Sequence, residues 1–182
     1  MAIKLTNERC EEIKKIVVDF YEKNDINCVP ISGFEIATKM GVEVIPYSTF
    51  TKFQQKIFMD LSEDGFTARR SSKLKIIYNQ EKGYKRINST FLHEIGHIVL
   101  NHTQDSELAE AEAKFFAKYA LAPPVLIHKL EDKSPKNISK VFDISIEAAT
   151  YAQSYYNKWL KYGEYKYTDY EIKTLKLFKI AI

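Results

Sequence analysis

Cysteine is nearly missing: Cys10 and Cys28 are the only two in 182 residues. Two thiols are too few to staple a secreted scaffold, so both are expected to be reduced and structural. Glycine and proline are also scarce, at 6 and 5, which excludes fibrous and low-complexity chains. No apolar run approaches the roughly 20 residues that a membrane span needs. Charge of one sign is lacking too: 27 Lys and Arg against 24 Asp and Glu leave +3. That balance is too mild to support direct nucleic-acid binding. The segment through Arg9 is polar where a secretory leader would be apolar, which predicts a cytoplasmic protein with no membrane partner. What is there suits one folded domain: 45% hydrophobic residues give enough apolar surface to offset chain entropy.

Periodicity places the elements. Thr6 or Asn7 caps a first helix whose Ile13, Ile16, Val17, Phe20 and Tyr21 recur at the helical period. Ser32 with Glu35 has the form of a capping box, and its short helix should end at Gly41. Residues 42–47, 55–61 and 74–78 read as strands, with a turn at Glu63-Asp64-Gly65. Helices follow over about 88–100 and 106–121, the second stopped by Pro123-Pro124. Ser134-Pro135, Asp143 or Ser145, and Thr168 with Glu171 open three more. The order predicts an α+β fold: a small, mostly antiparallel sheet against a helix pair, with additional C-terminal helices. A single domain is expected, with a core over 1–130 and a helical extension over 131–182.

The informative segment is His93-Glu94-Ile95-Gly96-His97. On a helix, positions four apart share a face, so both imidazoles can reach one zinc ion. Glu94, beside the first ligand, can take a proton from water activated by the metal. Leu92, Ile95 and Val99 should anchor the helix, and Gly96 permits close backbone approach. Two surface histidines on an ordinary helix are the bland alternative.

Such a site needs a third protein ligand, and the next helix offers Asp105, Glu107, Glu110 and Glu112. Glu112 shares the inward face of Leu108, Ala109, Phe115 and Phe116 at three- and four-residue spacings. A carboxylate there is costly unless something compensates it, and a metal ion would. Glu110 has Lys114 four residues on, the pattern of a solvent-side ion pair. Glu112 is therefore the expected ligand, with Glu110 as its rival.

These residues resemble the ImmA/IrrE family of metallopeptidases, zinc proteases of the gluzincin type. The likeness runs from Ile36-Ala37-Thr38-Lys39-Met40-Gly41-Val42 through Ile76-Ile77-Tyr78-Asn79 and the His93–His97 motif. It closes at Glu112-Ala113-Lys114-Phe115-Phe116-Ala117 and Leu121-Ala122-Pro123. The resemblance implies a third ligand at Glu112 and a helix-turn-helix transcriptional repressor as the protein substrate. Lys114 departs from it, standing where the family often has Asn or Asp.

Some features admit two readings. His102 is near enough to be an oxyanion donor or to support a ligand, although a histidine at a helix end often only satisfies carbonyls. Tyr78, ending a strand before the metal helices, is a weaker candidate for oxyanion stabilisation. Residues 74–78 can also offer an edge strand to a substrate peptide. Arg69-Arg70 with Lys73 and Lys75 forms a basic patch, read mainly as a solvated loop or strand edge. Residues 138–149 have the cadence of a helix-turn-helix whose second helix presents Thr150, Gln153, Asn157 and Lys158. Tyrosines 151, 155, 156, 162, 165, 167 and 170 can pack around Trp159 or stack on bases. His128 reads as structural. The alternative function is thus a DNA-binding or antirepressor module acting by contact, with a structural or vestigial metal site.

Overall fold

A computed structural model describes residues 3–70, 73–163 and 166–180. Helix α1 (Asn7–Lys23) is capped by Thr6, whose side chain accepts from the backbone N–H of Arg9. It buries Ile13, Val17 and Tyr21 against the later helices. Helix α2 (Gly33–Lys39) leads through Gly41, at φ +71, into strand β1 (Glu43–Pro46). That positive φ suits glycine because a side chain would clash there.

The next element departs from its expected form. Residues 55–61 belong to helix α3 (Lys52–Leu61) and not to a strand, because Thr51 and Gln54 close a reciprocal capping box. Two orphan backbone donors are thereby satisfied, and the helix follows. Phe53, Ile57 and Leu61 stay exposed, while Phe58 packs on Phe50 and Phe66. Strand β2 (Gly65–Arg70) then turns into β3 (Lys73–Tyr78).

The sheet has the order β1-β3-β2, with β1 parallel and β2 antiparallel to β3. It is mixed, where a mostly antiparallel one was expected; with 55–61 helical, Gly65–Arg70 becomes the antiparallel partner of β3 and β1 joins it in parallel. Residues 74–78 are central, with both ladder edges occupied, so they cannot receive a peptide. The available edge next to the site belongs to β2. Ile76 and Ile77 are buried, as a strand flanked on both sides requires. Of the basic patch, Lys75 pairs with Glu43 at 2.7 Å, and the Arg70 side chain lies outside what is described.

Helices α4 (Tyr84–Val99) and α5 (Glu107–Leu121) form the packed pair beneath the sheet. Leu92 and Ile95 are fully buried, each contributing about 2 kcal/mol of hydrophobic stabilisation. Asn88 ties α4 to the chain before α2: its amide donates to the Ile31 carbonyl, and its side-chain oxygen accepts from the Gly33 N–H. A β-carbon at Gly96 would lie 3.1 Å from Phe116 Cδ1 and 3.3 Å from the Ala113 backbone. The glycine is what lets α5 approach this closely.

Helices α6 (Pro124–His128), α7 (Pro135–Phe142), α8 (Ile146–Tyr162) and α9 (Asp169–Leu177) complete the C-terminal part. Trp159 stacks on Tyr156 and Tyr167, and His128 meets all three rings. Tyr165 lies outside the described residues. On α8, Thr150 donates to the Ile146 carbonyl and Gln153 to the Lys133 carbonyl, so two of the groups a recognition helix would offer are engaged internally. Among the described residues, no helix is long and apolar enough to cross a membrane.

Candidate metal centre

His93 and His97 lie one turn apart on α4, and their Nε2 atoms face each other at 3.1 Å. From α5, the Glu110 carboxylate meets them: Oε1 is 3.1 Å from His97 Nε2 and Oε2 is 3.4 Å from His93 Nε2. Four-coordinate zinc with bonds of about 2.0–2.1 Å spaces its ligand atoms by ~3.3 Å along each tetrahedral edge. Two imidazole nitrogens 3.1 Å apart, each met by a different oxygen of one carboxylate, therefore make a group that could hold a single small divalent ion. The group is half-buried and not enclosed, so an ion held there would be reachable by water or substrate. Burial foremost, and the neighbouring His97 after it, push the His93 imidazole down to about 4, and burial likewise depresses His97. Both rings are thus neutral near pH 7, the form in which imidazole binds metals.

The carboxylate grouped with the two histidines is Glu110, where Glu112 was expected. Glu112 is buried, as its helical face implies, and its described hydrogen-bond partners are Arg9 and His102. Its Oε1 accepts from Arg9 Nε at 2.8 Å, and its Oε2 accepts from Arg9 Nη2 at 2.9 Å and pairs with His102 Nε2 at 2.9 Å. These bonds, that of Arg9 foremost, hold the Glu112 carboxyl below its usual range. In this structure a guanidinium from α1, and not a metal, compensates the buried Glu112 charge. Two residues apart on a helix is roughly 200° of rotation, so Glu110 and Glu112 face different neighbours. Glu110 meets the histidines and not Lys114.

Glu94 lies on the sheet side of α4 and is buried. Its Oε2 accepts from the Thr67 hydroxyl at 2.7 Å, which sets it against β2. Burial pushes its carboxyl up to about 7, and the side chain and backbone N–H of Thr67 oppose that rise. Thr67 escaped the sequence reading because the strand carrying it did; Phe66-Thr67-Ala68 alternates too briefly to announce a strand.

His102 reaches the site through the end of α4. Asn101 adopts φ +56, its N–H bonds to the Ile98 carbonyl, and the His102 N–H bonds to the His97 carbonyl. This is the Schellman arrangement, with asparagine in the left-handed position. It folds the chain back so that His102 Nδ1 sits 3.0 Å from His97 Nδ1. Tyr78 instead places its ring edge-on against Phe91, centroids 5.0 Å apart, with no hydrogen bond to the histidine–glutamate group. His128 lies in the aromatic cluster.

A family model described as the IrrE N-terminal-like domain of Peptidase M78 matches residues 37–154. A search among curated proteins gives no match. The matched stretch holds β1, the hairpin, α4 and α5, and with them His93, Glu94, His97 and Glu110. Helix α1 and its Arg9 lie before it.

Proposed function

Because the chain belongs to the Peptidase M78 family, we propose that it is a zinc endopeptidase with His93, His97 and Glu110 as metal ligands and Glu94 as general base. The observation that carries this reading is the convergence of two imidazole nitrogens on the two oxygens of one carboxylate, all within 3.1–3.4 Å, beside a buried carboxylate. An ion held there acts as a Lewis acid toward a carbonyl and eases the deprotonation of water. Glu94 accepts the proton of the attacking water and passes it to the departing amine. Thr67 holds that carboxylate in place through its hydroxyl. The outer edge of β2, next to Glu94, can align an extended peptide by backbone hydrogen bonds. The family resemblance supports a helix-turn-helix repressor as substrate and a cytoplasmic setting.

The test is to incubate the protein with zinc and a repressor encoded beside it, and to size the products by mass spectrometry. Discrete fragments that vanish on chelation support the proposal; an intact repressor beside a zinc-loaded protein overturns the substrate. Removing the ion should abolish cleavage and lower the melting temperature by on the order of 10 °C when zinc had been at ~1,000 times its Kd. Differential scanning calorimetry with and without chelator reads that shift.

Thr67→Val keeps the shape and deletes the hydroxyl. Losing one hydrogen bond to a carboxylate should lower kcat about 10-fold with KM and zinc content unchanged. Steady-state kinetics check this; an unaltered kcat removes Thr67 from the mechanism.

A further inference from the structure

Resting on the metal-ligand reading above, we infer that Arg9, Glu112 and His102 form a positioning relay that orients His97 and fixes which of its ring nitrogens is free for the metal. The relay begins outside the matched segment, on α1, and spans 103 residues of sequence between Arg9 and Glu112.

Hydrogen-bond parity gives the relay its direction. An ionised carboxylate only accepts. Glu112 takes both bonds of the Arg9 fork, at 2.8 and 2.9 Å, so its remaining partner, His102 Nε2, donates. The other nitrogen of a neutral His102 is then a lone pair, and it lies 3.0 Å from His97 Nδ1. His97 Nδ1 accordingly carries the hydrogen and donates. His97 Nε2, 3.1 Å from both His93 Nε2 and Glu110 Oε1, is then the nitrogen whose lone pair faces an ion held between these groups. Metal-bound histidines commonly donate their second N–H to a carboxylate or carbonyl, which fixes the tautomer and ring orientation. Here a second imidazole extends that link to the carboxylate.

Burial and backbone geometry support the same assignment. The side chains of His102 and Glu112 are 11% and 8% exposed, so water does not compete for these bonds. Arg9 is further held by Glu12 at 2.8 Å, which fixes its fork from the solvent side. The left-handed Asn101 delivers His102 to its place. Of the three, His102 alone makes a described contact with the histidine pair, at His97, so the relay acts through that ring and its members are positioning residues.

The experiment uses the full chain, with zinc affinity from chelator competition, the absorption spectrum of the cobalt(II)-loaded protein, and melting temperature as a control of fold. His102→Phe keeps the ring and deletes both bonds; it should weaken zinc 10- to 100-fold and change the cobalt spectrum. His102→Gln, whose amide can donate to Glu112 and accept from His97, should recover most of the loss. Arg9→Met should weaken zinc by about 10-fold, and it carries the test if His102→Phe does not fold. Wild-type zinc affinity and an unchanged cobalt spectrum in a folded His102→Phe or Arg9→Met protein overturn the relay. A wild type that holds zinc but cleaves no peptide, with the variants still weakening the ion, overturns the peptidase reading and supports the relay. A wild type that binds no zinc overturns both.

Discussion

Glu94→Gln is expected to lower kcat for peptide cleavage by about 10²- to 10⁴-fold while the protein still holds one zinc ion per chain. The amide fills the same volume and its oxygen can still accept from the Thr67 hydroxyl, so the 2.7 Å contact that seats the side chain survives. What disappears is the capacity to take a proton. The ligand atoms of His93, His97 and Glu110 are untouched, which is why metal content should not move. Elemental analysis together with single-turnover cleavage separates the two effects. A variant that retains zinc and cleaves within a few-fold of the wild-type rate would remove Glu94 from its role.

Glu110→Ala is expected to be the more severe loss at the metal. Two imidazoles alone leave the ion without its only anionic ligand, so affinity should fall by more than the ~100-fold that outer partners of a ligand can cost. Cleavage at submicromolar free zinc should vanish with it. The contrast with Glu112→Ala is the informative part. If Glu112 were the ligand, the two phenotypes would exchange places. Chelator competition on both variants reads this directly, and near-normal zinc binding by Glu110→Ala would return the ligand role to Glu112.

The histidines and Glu94 were legible because their chemistry is local: a helix by itself puts positions 93 and 97 on one face. The choice between Glu110 and Glu112 was not local. Helical phase correctly made Glu112 the inward residue, but the meaning of that burial depended on Arg9, which no spacing rule connects to it. A buried acid signals a compensating cation, and the sequence does not say whether that cation is a metal or a guanidinium. The misreading of 55–61 has a different origin. Its short apolar run fits either period, and the deciding signal lay just upstream, where Thr51 and Gln54 stand at capping-box spacing. Strand β2 was hidden by its two arginines, and with it went Thr67 and the edge beside the site. The C-terminal helices were readable from their Ser and Thr caps.

The missing side chain at Gly96 has a thermodynamic consequence. With Phe116 and Ala113 closing on it, the two ligand-bearing helices meet without slack, and the histidine pair and Glu110 hold their separation as parts of one rigid block. An arriving ion then has few rotamers to freeze and no backbone to rearrange. An ion bound there would keep most of its coordination energy as affinity, because the helix contact at Gly96 already sets the spacing of the groups that would hold it.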